Sequence, residues 1–87
     1  MASYKIQWKR SAEQDLRILD RKRIPQIIKA VEGLAENPFP PQSRKLRGTE
    51  QLYRMRVGDY RVIYQIENRT KTVIVYHVRH RKEAYRG

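Results

Sequence analysis

Arg54, Arg56 and Arg61 flank Gly58-Asp59 in a stretch, Tyr53 to Glu67, that reads as two β-prone runs joined by a two-residue turn. Glycine tolerates the positive φ that such a turn needs, and the dipeptide sets the register: Val57 faces Tyr60, Arg56 faces Arg61, Met55 faces Val62 and Tyr53 faces Tyr64. Strand side chains alternate. One face therefore collects Tyr53, Met55, Val57, Tyr60, Val62, Tyr64 and Ile66, and the other Arg54, Arg56, Arg61, Ile63 and Gln65. Two guanidinium groups directly opposite each other repel, so this pairing points to a negative ligand rather than to folding. Arg79 and Arg81, with His77 or His80 and Tyr85, fall within reach of the same face. Such a set suits metal-free cleavage of an RNA phosphodiester. Attack of a ribose 2′-hydroxyl on the adjacent phosphate needs charge stabilisation, a base and an acid, and the planar fork of arginine supplies the first. Tyr85 would stack on an unstacked base. The same five arginines would serve equally to bind RNA or an acidic protein with no chemistry.

Lysine and arginine number 20 against 9 aspartate and glutamate, a formal charge of +11 on 87 residues. A polyanionic partner follows, because the basic residues cluster on the hairpin and near the C-terminus instead of being spread evenly. A basic membrane-surface protein would carry its charge along an amphipathic helix with aromatic anchors, whereas the helix faces here are mixed in sign. The chain has no cysteine, hence no disulfide framework and no thiolate metal site, which fits a reducing cytoplasm. Met1 to Arg10 is polar and basic, unlike a signal peptide, and no apolar run approaches the roughly 20 residues of a membrane span. A single domain of this size buries about 60 to 65% of the surface its unfolded chain exposes, and must rely on helix-on-sheet packing.

These residues need a scaffold, and the rest of the chain supplies one. Tyr4 to Trp8 alternates apolar and polar residues as a half-buried strand does. Ser11 with Gln14 matches a capping box, and Ala12, Leu16 and Leu19 follow at helical spacing. Pro25 suits the first turn of a second helix, in which Ile24, Ile27, Ile28, Val31, Leu34 and Ala35 form the strongest periodic pattern, ending near Asn37-Pro38. Residues 37 to 51 read as a loop stiffened by prolines, with Phe39 plugging a core edge. Its basic run, Arg44-Lys45-Leu46-Arg47, is either a solvated connector or a set of phosphate contacts. Asn68 to Lys71 makes a second turn, and Thr72 to Arg79 a last strand. A pairing with Ile74, Tyr76 and Val78 in the core places Val75, His77, Arg79 and Arg81 on the basic face, and a one-residue slip would reverse this. The order β-α-α-β-β-β gives an α+β domain over residues 1–87: an antiparallel sheet, two N-terminal helices packed on one face, and a basic open face.

No glycine-rich phosphate loop, cysteine nucleophile or spaced carboxylate pair is present. His77 and His80, three apart on a strand, point to opposite faces and cannot share one metal in regular β geometry. No metal or cofactor is expected.

The helix pair, the proline loop, Lys45-Leu46-Arg47-Gly48, the run Tyr53-Arg54-Met55-Arg56-Val57-Gly58-Asp59-Tyr60-Arg61-Val62-Ile63-Tyr64 and the ending His80-Arg81-Lys82-Glu83-Ala84-Tyr85 resemble the RelE branch of the RelE/ParE toxin superfamily over essentially the whole chain. The hairpin is characteristic of the superfamily, and the tail favours RelE over ParE. The resemblance implies an endoribonuclease that cuts mRNA in the ribosomal A site, silenced by a cognate RelB-like antitoxin within a hetero-oligomer. It puts the basic active-site positions on Arg54 and Arg56, the phosphate-binding arginine on Arg61, a late arginine acid or stabiliser on Arg81, and the base-stacking tyrosine on Tyr85. Lys45, Arg47 and Arg79 would add RNA contacts. Well-understood members carry lysines at the positions of Arg54 and Arg56, one of them assigned as general base. Arginine practically never deprotonates at neutral pH. The base is therefore expected at His80, or at a histidine on the neighbouring strand. The alternatives are a ParE-like gyrase-inhibiting toxin and a non-catalytic RNA-binding module.

Overall fold

The computed structural model describes residues 3–46, 48 and 51–81. Strand β1 (Lys5–Trp8) leads into helices α1 (Arg10–Ile18) and α2 (Ile24–Gly33), followed by β2 (Ser43–Lys45), β3 (Leu52–Val57), β4 (Tyr60–Glu67) and β5 (Thr72–His80). The strands lie side by side in the order β1-β5-β4-β3-β2. Helices and sheet together make the expected α+β fold.

The central hairpin keeps the register its turn dictates. Arg56 pairs with Arg61, Met55 with Val62 and Tyr53 with Tyr64, and Gly58 has the positive φ of 59° on which the tight turn depends. The sheet is mixed rather than antiparallel throughout, because β1 runs parallel to β5, with Ile6 beside Val73 and Trp8 beside Val75. Parallel neighbours need a long crossover, and everything from α1 to β4 lies between them in sequence. The proline loop also contains a strand that its composition conceals. β2 pairs with β3 over only three residues, Ser43 with Met55 to Lys45 with Tyr53, a short charged edge of the kind that resists pairing with a further chain.

Ile27 and Val31 of α2 and Leu34, its C-cap, pack with Ala12 of α1 onto Met55, Val57, Val62, Tyr64, Ile66, Val73, Val75 and Val78 to form the buried core, with Ile6 and Trp8 half-buried beside it. Phe39 does not plug the core as expected: it is 50% exposed and packs in a T-shaped pair with Tyr53, at 5.4 Å between ring centroids. Tyr64 fills the inner place, fully buried, with its hydroxyl donating to the Pro38 carbonyl at 2.9 Å.

Tyr64→Phe leaves that carbonyl without its donor. The expected cost is about 1 to 3 kcal/mol, a melting temperature lower by several degrees, with a shift under about one degree showing that the bond adds nothing. Burial also pushes the Tyr64 phenol above its ordinary 10.0. Its contribution is therefore complete below pH 10 and lost as pH rises past that point. The phenylalanine variant should lose less stability than the parent between neutral and strongly alkaline pH.

Two local expectations fail for one reason. Ser11 is not an N-cap: α1 begins at Arg10 after Lys9, which makes no side-chain cap. In β5 the alternation reverses partway, since Ile63 pairs with His77 but the next residue, Tyr64, pairs with Val75. Tyr76 is thus an extra residue in a β-bulge. Val73, Val75 and Val78 are buried while Ile74 is not, so Val75 belongs to the core and Ile74 to the other face, against the expected assignment. The expected face holds only beyond the bulge, at His77, Val78 and Arg79.

α1 is what secures the bulge. β1 ends beside Val75, whose carbonyl accepts from the Lys9 amide at 2.9 Å, and from there on that edge of β5 has no strand neighbour among the described residues. Ser11 Oγ donates to the Tyr76 carbonyl at 2.6 Å, and the Val78 amide donates to Asp15 Oδ2 at 3.0 Å. Residues 11 and 15 share one side of the helix, so two side chains continue the ladder that β1 leaves unfinished. An edge that would otherwise expose unpaired backbone is closed.

Candidate active site

The face of the sheet away from the core carries the arginines in two rows. Arg56, Arg61 and Arg79 sit on adjacent strands at paired positions, and Arg54, Ile63 and His77 form the next row. Neighbouring strands lie about 4.8 Å apart, so the three guanidinium-bearing positions of the first row span roughly 10 Å. β2 extends the second row with Arg44, which pairs with Arg54 and is exposed.

The expected residues divide. Arg54, Arg56, Arg61 and Arg79 come together on the open face as anticipated. Lys45 pairs with Tyr53 and thus belongs to the helix side of the sheet, so Arg44, not Lys45, supplies the basic charge of this segment to the arginine face. β2 was hidden within a proline loop, and without its register the two could not be told apart. His80 pairs with Tyr60, on the helix side as well, and its ring meets Tyr60 edge-on at 5.4 Å between centroids. That position turns it away from Arg61 and Arg79, and the base expected at His80 is not on the arginine face. Arg81 is exposed just beyond β5, its amide donating to the Asp59 carbonyl at the hairpin tip at 2.7 Å. Arg47 and Tyr85 lie outside the described residues.

Arg61 differs from its neighbours. It is 8% exposed, the one buried charged residue among those described, while Arg56 and Arg79 are exposed. One Arg61 Nη donates to the Tyr60 carbonyl at 3.3 Å. Arg61 sits on the central strand β4, between β3 and β5. Its truncation to alanine would remove packing as well as charge.

His77 was left secondary by the sequence, yet it is the histidine that the arginine face contains. Its Nδ1 lies 3.2 Å from Asp15 Oδ2 and 3.3 Å from an Arg79 Nη, and Arg79 Nε is 4.0 Å from the same carboxylate oxygen. Beside this cluster, Tyr76 donates to Gln65 Oε1 at 2.7 Å, and Gln65 Nε2 donates to Gln51 at 3.1 Å. The bulge puts Tyr76 and His77, consecutive residues, on one face. A concavity of about 570 Å3 between α2 and the end of β3 is lined by Gln26, Leu34 and Met55 among others. It opens on the helix side and shares Arg56 with the arginine face. Among the described residues no cluster of histidine and acidic side chains could hold a metal ion, and no helix is long and apolar enough to cross a membrane.

The small mixed sheet with two helices on one side and an arginine-rich face on the other matches the fold of RelE toxins. Residues 6–85 match the ParE toxin family, the ParE toxin of the type II toxin-antitoxin system parDE, and the chain belongs to that family. Within it the likeness is to RelE toxins. The toxin RelG of Mycobacterium tuberculosis is 30% identical over 87 residues, which cover 95% of this chain and 97% of that protein. The RelE of the archaeal RelE-RelB complex from Pyrococcus horikoshii superposes with a TM-score of 0.79 at 27% identity, covering 91% of this chain and 96% of that one. The fold is shared too with the toxin-antitoxin complex RelBE2 of Mycobacterium tuberculosis, at a TM-score of 0.81 and 24% identity over 90% of this chain and 98% of that one.

Proposed function

We propose that this toxin is a metal-independent endoribonuclease that cuts mRNA on the ribosome and thereby stops translation, and that a RelB-like antitoxin holds it inactive in the cytoplasm as a hetero-oligomer. The observation that carries the reading is the row Arg56-Arg61-Arg79 across three strands. Like charges so placed oppose folding, and a phosphate bridging them relieves that cost. The forks donate to the non-bridging oxygens as negative charge builds on the phosphorane. Arg54 and Arg44 continue the track along the strand of RNA, and the resemblance to RelE toxins adds Arg81 as a stabiliser of the departing oxygen and Tyr85 as a stacking platform. Solved relatives that are RelE-RelB complexes support the antitoxin.

The test is induction of the toxin in growing cells with mapping of mRNA 5′ ends, alongside a gyrase supercoiling assay. New 5′ ends within translated frames, abolished when initiation is blocked, are expected. Inhibited supercoiling with intact mRNA would replace the reading with that of a gyrase poison, and neither effect would leave a binding module.

A further inference from the structure

We propose that His77 is the general base of the cleavage reaction and that Asp15, reaching over from α1, is the residue that positions it. The proposal rests on the RNA-cleavage reading above. The bulge is the first support: without the extra residue at Tyr76, the alternation of Val73 and Val75 would carry His77 to the core side. β-Bulges re-aim side chains next to active sites, and this one is secured from outside the sheet by Ser11 and Asp15.

The carboxylate is the second support. Asp15 Oδ2 accepts from the Val78 amide at 3.0 Å, which fixes it, and its side chain is only 18% exposed. Arg79, the competing neighbour of Nδ1, is 44% exposed and meets Asp15 only at 4.0 Å. The fixed partner decides the tautomer: Nδ1–H points at Asp15, leaving the lone pair on Nε2. The imidazole is 34% exposed, open enough to meet a substrate. The charged groups around it are Asp15 from α1, Arg79 on its own strand, Arg61 diagonally across on β4 and Arg54 beyond Ile63 on β3. Asp15 lies on the Nδ1 side of the ring, opposite the Nε2 that accepts the proton.

In the reaction Nε2 takes the proton of the ribose 2′-hydroxyl. The 2′-oxygen forms a bond to phosphorus and the bond from phosphorus to the 5′-oxygen breaks. The departing 5′-oxygen takes a proton from water, giving a 2′,3′-cyclic phosphate and a 5′-hydroxyl, and His77 returns its proton to solvent.

The experiment is single-turnover cleavage of mRNA in purified translating ribosomes from pH 5.5 to 8.5, with melting temperatures for each protein. Wild type should show a rate that rises with pH and levels off. His77→Gln should lose on the order of 10² to 10⁴ in rate and the acid limb with it. Asp15→Asn should lose on the order of 10² and move the acid limb to lower pH, because the imidazolium no longer has its carboxylate and releases its proton more readily. A merely structural Asp15 would lower the melting temperature without moving that limb. A wild type that cuts with no acid limb, or a folded His77→Gln that cuts within about threefold of wild type, overturns this assignment and leaves the RNA-cleavage reading standing. If His77→Gln fails to fold, the wild-type limb and its response to Asp15→Asn decide. Wild type silent on ribosomes at every pH sinks both.

Discussion

Arg61→Met is expected to reduce mRNA cleavage on the ribosome by about 10² to 10³ while leaving the melting temperature within a few degrees of the parent. The magnitude is that of removing one preorganised donor to a developing anion. Methionine is the informative replacement because Arg61 is buried. Its unbranched stem fills much of the space of the arginine methylenes, so packing is largely kept while the fork is lost. Alanine would confound the two, since truncating a buried stem itself costs on the order of 1 kcal/mol. Relief of repulsion from Arg56 and Arg79, paired on either side, offsets a few tenths of a kcal/mol. A strong loss of stability in Arg61→Met would mark Arg61 as a structural cation. Near-normal cleavage would remove it from the phosphate site.

Free toxin should cut protein-free RNA at least about 10³-fold more slowly than mRNA on the ribosome. The arginine face is an open sheet surface: Arg56 and Arg79 are exposed, and Arg54 and His77 are partly so. Water reaches these side chains, and among the described residues no pocket on this face encloses a flexible strand so as to hold its 2′-oxygen in line with the departing 5′-oxygen. Positioning of that kind can be worth several kcal/mol, and about 4 kcal/mol corresponds to the factor expected. The ribosome would supply it by fixing the mRNA strand. Comparing initial rates on one message, naked and in translating ribosomes, measures the ratio. Codon-selective cutting of naked RNA at comparable rates would show that this chain carries its own positioning.

Local chemistry determined much of this protein from the sequence by itself. The Gly58-Asp59 turn sets the register of β3 against β4, since a two-residue loop leaves one pairing, and the period-two pattern then assigns Arg54, Arg56 and Arg61 to one face. The helical period of Ile27, Val31 and Leu34 marks the core side of α2. The tertiary structure alone decided what depends on partners far along the chain. The parallel pairing of β1 with β5 and the bulge at Tyr76 are each properties of two segments together, and no short window of sequence contains both. The bulge arises where β1 stops and α1 takes over the edge of β5, with Ser11 and Asp15 binding backbone more than 60 residues away. Read locally, Ser11 looks like a helix cap and Asp15 like a solvated helix charge. Their actual partners bring His77, rather than His80, to the arginines.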